Sequence, residues 1–341
     1  MRRLLQGCTE ELGMMWNELS RDILAGGSVT REQALTVLRS GDDELLGVLQ
    51  AAFEIRKRFF GRDVTLHVIR NVKSGACSED CSYCSQSASA TSPVECYPMQ
   101  TVEKIVEGAQ AAHRLNAYRY CVVASGRAPV EQELEMICEA ARRIKREVPI
   151  QLCTSLGILN AGQARRLKEA GVDRYNHNLE TSERHYGVIC STHGYGDRVE
   201  TARAVKGAGL ELCSGGLIGM GETLQDRVDL AFALRETGAD SIPVNFLDPR
   251  PGTALEGMAR ISAADVLRTL AMFRFVHPDR EIRIAGGREA CLGPLQALSL
   301  YPANSLFTVG YLTTGGQGNE ADRKMIEMAG FRIAGIVDTG E

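Results

Sequence analysis

No apolar run in this chain approaches the roughly 18 residues that a membrane-spanning helix requires. An excess of charge of one sign is missing too: 39 Lys and Arg against 43 Asp and Glu leave a formal net charge of −4. With a pI near 6.0, that balance gives no bulk attraction to nucleic acid or to anionic lipid. The opening stretch "MRRLLQGCTEELGMM" is briefly basic but acidic by Glu10, which does not make the pattern of a secretory leader. Eleven cysteines in 341 residues fall well below the density of a disulfide scaffold. These absences point to reduced thiols or metal ligands in cytoplasm. An apolar share of 44% and a charged share of 24% suit a globular chain with a large core.

What is present divides into two textures. Residues 1–60 read as helices. "TREQALTVLRS" opens at Thr30 with Gln33 three residues on, the pattern of a capping box. "DDELLGVLQAAFEIRKRFFG" follows with apolar residues at helical spacing and stops at Gly61. From about residue 63 short β-rich runs recur: "VTLHVIRNV", "YRYCVVAS", "IQLCTSLG", "DRYNHNLE", "LELCSGGLIG", "DSIPVNFL", "EIRIAGG" and "SLFTVGY". Helical stretches separate most of them, so the strands should pair in parallel. Eight strands favour a closed barrel over an open doubly wound sheet. No Pro/Gly/Ser linker divides the series. The expected fold is α/β, a (β/α)8 TIM-type barrel over residues 61–320. A helical N-terminal extension covers 1–60, and a C-terminal helix and tail cover 321–341.

The loop after the first strand carries "GACSEDCSYCSQS", with Cys77, Cys81 and Cys84 inside eight positions. A barrel places its active-site loops at that end of its strands. Three thiolates at this spacing can converge on an iron–sulfur cubane and leave a fourth iron open to substrate or cofactor, whereas four cysteines close the cluster. Zinc is the rival, but it prefers four ligands, and no second CxxC or nearby HxxxH supplies them. Three incidental buried cysteines fit poorly with a polar loop of Ser, Asp and Glu.

Three further cysteines lie in strand runs: Cys121 in "YRYCVVAS", Cys153 in "IQLCTSLG" and Cys213 in "LELCSGGLIG". Side chains of one alternation fill a barrel's lumen, so the three could meet there. Arg283 of "EIRIAGGRE" has the equivalent depth in a later strand. Periodicity alone leaves each of these as either a lumen ligand or a packed core residue.

Cys-x3-Cys-x2-Cys with an aromatic residue before the last cysteine resembles the signature of the radical S-adenosylmethionine superfamily. That resemblance implies a [4Fe–4S] cluster on Cys77, Cys81 and Cys84, with Tyr83 beside the adenine of S-adenosylmethionine. The blocks "GACSEDCSYCSQS", "YNHNLETS", "CSGGLIGMGET", "SIPVNFL" and "AGGRE", in this order, resemble the biotin synthase family over roughly residues 40–330. Several expectations come with it. An auxiliary [2Fe–2S] cluster would sit on Cys121, Cys153, Cys213 and Arg283 and act as sulfur donor. Arg283 is a sharp marker because a guanidinium ordinarily has no lone pair to offer. Asn176, Asn178 and Glu180 would face the cofactor ribose and the ureido ring of dethiobiotin, with Asp the commoner residue at position 180. Asn245 would be a second ureido partner. Arg198 would lie near the methionine carboxylate, and Thr313 and Thr314 would receive the substrate's tail carboxylate. The reaction implied is sulfur insertion into dethiobiotin at the expense of two S-adenosylmethionines. A homodimer and an electron donor such as flavodoxin or ferredoxin are implied as well.

The remaining candidates read as structural. His177 should point away from the lumen, and His185 and His193 lack ligand-spaced companions. Cys8, Cys96, Cys138 and Cys291 have no assigned role, and Cys190 is only a weak site candidate. "GLIGMGET" has the look of a phosphate loop but lacks the completing GK[ST], and "RRIKREV" is a solvated helix end. Two other functions compete. Hydrogenase-maturation and methylornithine-synthesis enzymes share the radical loop but lack the Cys121, Cys153, Cys213 and Arg283 set. A non-catalytic iron–sulfur carrier has no need of an open iron or an amide-lined lumen.

Overall fold

The structure, a computed structural model, describes residues 15–335. Cys8, most of the basic opening stretch and tail residues 336–341 lie outside them. The chain is helical over 15–24 (α1), where Trp16, Leu19 and Ile23 are buried on one face. In α2 (Arg31–Arg39) the capping box forms in full: Thr30 Oγ1 accepts from Gln33 N at 3.2 Å, and Gln33 Oε1 accepts from Thr30 N at 2.9 Å. A 3-10 turn over Asp42–Glu44 leads into α3 (Leu45–Phe60), which ends at Gly61 with φ +56°. Arg56 of α3 is fully buried and donates to the carbonyls of Ala303 (3.0 Å) and Asp63 (2.8 Å). That fork fixes the extension to the first barrel strand and to the segment leading into the last.

The barrel strands are β1 (Asp63–Lys73), β2 (Arg119–Ala124), β3 (Gln151–Ser155), β4 (Arg174–Asn176), β5 (Glu211–Cys213), β6 (Gly216–Ile218), β7 (Ser241–Phe246), β8 (Glu281–Ile284) and β9 (Ser305–Phe307). All pair in parallel, and β9 returns to β1, closing the ring. The run "LELCSGGLIG" is one barrel strand broken in two: β5 and β6 both pair β7, separated by Ser214 and Gly215. A Cβ on Gly215 would lie 1.9 Å from the Pro243 carbonyl oxygen, so only glycine permits that approach. The expected eight-strand parallel barrel is the observed one. A short β10 (Arg332–Ile333) adds to the other side of the start of β1.

Helices α4 (Val102–Arg114), α5 (Glu131–Glu147), α6 (Ala161–Glu169), α7 (Glu183–Ile189), α8 (Tyr195–Gly207), α9 (Leu224–Glu236) and α10 (Ala263–Val276) lie between strands in the chain. After β8 come α11 (Arg288–Leu292) and, following β9, α12 (Asn319–Met328). Helices α2 and α3 pack on α10, and α2 also meets α9. One continuous apolar core unites α1, the barrel strands and the surrounding helices. Among the described residues no helix is long and apolar enough to cross a membrane.

Candidate active site

Strand register determines which side chains share a level of the barrel. Cys121 of β2 pairs with Cys153 of β3, Asn176 of β4 with Cys213 of β5, and Cys213 with Ser241 of β7. Pro243 of β7 pairs with Arg283 of β8, and Arg283 with Ser305 of β9. Cys121, Cys153, Cys213 and Arg283 border one internal cavity together with Asn176, Asn178, Glu180 and Asn245. The four are each at most 4% exposed, a depth at which an unpaired charge is costly. A hydrogen bond from Cys153 holds the Cys121 thiol below its ordinary value and pushes Cys153 up. Arg283 Nη2 donates to Ser241 Oγ at 3.0 Å and Nη1 approaches Cys213 Sγ at 3.6 Å, while its buried Nε has no partner.

The loop after β1 is shaped by its own backbone. Cys77 N donates to Gln86 O (3.3 Å), Cys84 N to Cys81 O (3.0 Å) and Ser87 N to Cys84 O (3.1 Å). Gln86 Oε1 accepts from Gly75 N (3.0 Å) and Asn71 Nδ2 (3.2 Å), so the loop is anchored on the strand that leads into it. Asp80 accepts from Ser191 N (3.0 Å) and Thr192 N (3.2 Å), tethering the loop to the α7–α8 connection. Those bonds, the Ser191 hydroxyl first, hold the Asp80 carboxyl well below the usual carboxylate range. Cys77, Cys81 and Cys84 border a second cavity with Tyr83, Asn176, Asn178, Glu180 and Arg198. Burial pushes the Cys81 and Cys84 thiols up. That burial keeps the bare Cys81 and Cys84 thiols protonated, and a cationic, thiophilic group would favour their thiolates. Three converging soft donors without a fourth cysteine suit an iron–sulfur cluster with one open position. In the deeper cavity three thiols and the unpartnered Arg283 donor form a second set.

A third cavity opens beside these, bordered by Tyr83, Cys84, Asn178, Glu180, Asn245, Thr313 and Thr314. Asn178 and Glu180 border all three. Strand β4 stops at Asn176, and Glu180 adopts φ +70°, a region that side chains other than glycine rarely enter. Its backbone is clamped: Glu180 N donates to Gly215 O (3.1 Å) and Leu217 N donates to Glu180 O (2.9 Å). Burial pushes the Glu180 carboxyl up, against the pull of Arg198, whose Nη1 lies 3.8 Å from Glu180 Oε1. Arg198 Nη1 also donates to Asn178 O (2.8 Å), and its Nη2 meets His193 Nε2 at 3.0 Å. Asn245 is engaged with backbone on both sides, donating to Gly216 O (3.1 Å) and accepting from Gly286 N (2.9 Å). Thr313 Oγ1 lies 3.0 Å from Ser85 Oγ of the cysteine loop.

His177 is buried and, unlike its neighbours Asn176 and Asn178, does not border the cavity of the strand cysteines, though it borders that of the cysteine loop. One of the sequence expectations for side chains needs correction. His193, expected to stand alone, lies with Cys190 beside the loop: Cys190 Sγ is 3.8 Å from Cys81 Sγ and 3.3 Å from His193 Nδ1. Both residues are more than 100 positions from Cys81 in sequence, so no local spacing could signal the group. The "GLIGMGET" loop holds no free phosphate cradle, since Gly219 N and Met220 N donate to the Glu222 carboxylate at 2.8–3.1 Å. Cys96, Cys138 and Cys291 border none of the three cavities.

The family model described as the Radical SAM superfamily matches residues 71–234, and that of the Biotin and Thiamin Synthesis associated domain matches 243–332. Biotin synthase of Salinibacter ruber is 53% identical over 325 residues, covering 95% of this chain and 90% of that protein. Biotin synthase of Bacillus subtilis is 49% identical over 321 residues, covering 94% and 96%. The chain belongs to the biotin synthase family. Biotin synthases carry a [4Fe–4S] cluster, a [2Fe–2S] cluster and S-adenosylmethionine, in keeping with the two donor sets above. Among solved structures, methylornithine synthase superposes with a TM-score of 0.82 at 20% identity, over 94% of this chain and 98% of that one. The hydrogenase maturase of Carboxydothermus hydrogenoformans gives 0.77 at 16%, over 97% and 81%. At those identities the likeness extends to the barrel fold alone.

Proposed function

We infer that this protein is a biotin synthase, a radical S-adenosylmethionine enzyme that inserts sulfur into dethiobiotin to form biotin. The observation that carries this reading is the sharing of Asn178 and Glu180 by three adjoining cavities. One is bordered by the loop cysteines, one by the strand cysteines and Arg283, and one by the two threonines. When bound, the [4Fe–4S] cluster with S-adenosylmethionine supplies a hydrogen-abstracting radical, and the [2Fe–2S] cluster supplies sulfide. Cys77, Cys81 and Cys84 hold the first cluster, and Cys121, Cys153, Cys213 and Arg283 hold the second.

The chain's own part is placement and exclusion of water. Tyr83, carried on the cysteine loop, faces the cofactor's adenine. The Asn178 amide donates to or accepts from the ribose hydroxyls, the Glu180 carboxylate accepts from them, and Arg198 offers positive charge toward the methionine carboxylate. Asn176 and Asn245 present amides to the ureido ring. Asn245, already fixed by two backbone bonds, is pre-oriented for that contact. Thr313 and Thr314 take the tail carboxylate at the outer end. Two C–H bonds must break, at a methyl and a methylene carbon, so two cofactor molecules are consumed per biotin.

Ten described cysteines are free thiols, which suits a reducing cytoplasm. A flavodoxin or ferredoxin as electron donor and a homodimeric state complete the proposal, on the strength of the family resemblance. The helical extension 1–60, barrel 61–320 and C-terminal segment 321–341 are read as one catalytic unit. Anaerobic reconstitution with iron, sulfide and dithionite tests the reading. Dethiobiotin should yield biotin with 5′-deoxyadenosine, whereas a carrier protein would hold clusters and release no 5′-deoxyadenosine.

A further inference from the structure

Beneath the strand cysteines, Glu281 is the first residue of β8 and Arg283 lies two positions on, on the same strand face. Glu281 pairs in register with Ser241 of β7, and Arg283 with Ser305 of β9. The carboxylate therefore sits among groups from three adjacent strands. Glu281 Oε1 accepts from Arg283 Nη2 and from Ser305 Oγ (2.9 Å), and lies 3.4 Å from His67 Nε2. Glu281 Oε2 accepts from Arg174 Nη1 at 2.8 Å.

The consequence for Arg283 is asymmetric. Its Nη2 carries two N–H groups, and both are taken, one by Glu281 and one by Ser241 Oγ. Nε is left without a partner, and Nη1 has only the long approach to Cys213 Sγ. A planar guanidinium held by two bonds at one nitrogen cannot rotate in its plane. The two nitrogens left over are the ones available to the cysteine-lined cavity. A plain counter-ion role fits less well. Arg174 also reaches Glu211, at 2.8 Å, whereas among the described residues Arg283 has Glu281 as its sole acidic partner.

We propose that Glu281 is the positioning residue of the auxiliary site. It fixes the guanidinium of Arg283 so that one defined nitrogen faces the sulfur-donating cluster. The inference rests on the reading of Arg283 as a ligand. Outer groups that orient metal ligands typically account for about 10–100-fold in affinity. Glu281→Gln keeps the shape and removes the charge and one acceptor oxygen. In reconstituted Glu281→Gln the absorption and Mössbauer signature of the auxiliary cluster should change. Its loss to a chelator should quicken about tenfold, with the [4Fe–4S] signature unmoved. Arg174→Lys, which disturbs the other carboxylate oxygen, should leave both signatures as they were. Glu281→Asp, which keeps the charge and withdraws it by one methylene, gives the same reading if the glutamine variant fails to fold. An unchanged auxiliary signature in a folded Glu281 variant, or an equal change in Arg174→Lys, overturns the proposal. Arg283→Met separates the two levels: a wild-type signature there refutes the ligand reading itself, and a changed one leaves Glu281 alone on trial.

Discussion

Replacing Cys153 with serine separates a cluster ligand from a packed core residue. Cys153 is 2% exposed and lies opposite Cys121 in the register of β2 and β3. Its nearest backbone acceptor, Thr154 O, is 3.9 Å away, too far for a hydroxyl to use. If serine finds no partner, the buried hydroxyl costs about 1–3 kcal/mol. At no more than roughly 2–4 °C per kcal/mol for a chain of this size, the apo-protein melts a few degrees lower and still folds. A core role predicts that loss and nothing more. The ligand reading predicts a second effect of another kind. Auxiliary iron and sulfide fall away, while the loop thiols 69 or more positions upstream are untouched and 5′-deoxyadenosine is still released. The assay is iron, sulfide, 5′-deoxyadenosine and biotin per chain, at a temperature where the melting curve shows the variant folded. Full iron content with normal biotin yield would return Cys153 to the core and refute the sulfur-donor assignment.

Cys81→Ala should abolish 5′-deoxyadenosine release while the folded barrel persists, because the loop holds no spare cysteine; circular dichroism and a cleavage assay check both halves. Gly216→Ala would put a Cβ 2.4 Å from the Glu180 carbonyl oxygen and 2.5 Å from Leu230 Cδ2, an overpacking worth about 1–3 kcal/mol. Urea denaturation should show that loss, and cofactor binding should weaken as Glu180 moves. Asp226, fully buried, accepts from Ser182 Oγ and from the N–H and hydroxyl of Thr223. Against the upward push of burial, those bonds with Arg184 bring its carboxyl down to about 2. A depressed carboxyl stabilises the fold above its unfolded value near 4 and loses that contribution as pH falls toward 2. Asp226→Asn should therefore cost about 2 kcal/mol at pH 7, with the gap narrowing below pH 4; a gap constant with pH would refute the ionic account.

The strands were legible because parallel barrel strands are covered on both faces and read as short apolar runs. "IQLCTSLG" and "DSIPVNFL" are both of this kind. The loop cysteines were legible from spacing, and the strand cysteines only as candidates. Which of them share a level depends on register, and register depends on partners far along the chain. Strand alternation held past the end of β4: Asn176, Asn178 and Glu180 all border the cavity of the strand cysteines, and His177 between them does not. Cys190 was only a weak candidate and His193 was set aside, because a cluster assembled from residues 81, 190 and 193 has no local pattern. Thr313 and Thr314 were candidates through family resemblance alone, since nothing in their composition distinguishes them from other loop threonines.

Glu180 shows how function can override local preference. At φ +70° a non-glycine residue bears strain of about 1–3 kcal/mol, and replacement by glycine would relieve it. The chain instead keeps a buried carboxylate there and places glycines on the neighbouring strand. Gly215 accepts the Glu180 N–H through its carbonyl, and Gly216 leaves room for the Glu180 carbonyl. The backbone is thus over-determined from both sides, so the strain persists without relaxing. What the arrangement secures is position. Glu180 is bridged in parallel to Gly216 and borders all three cavities. Strain held in place by neighbours chosen for smallness is the mark of a residue retained for what its carboxylate touches. Glu180, with Asn178, thereby borders the cavities of both donor sets.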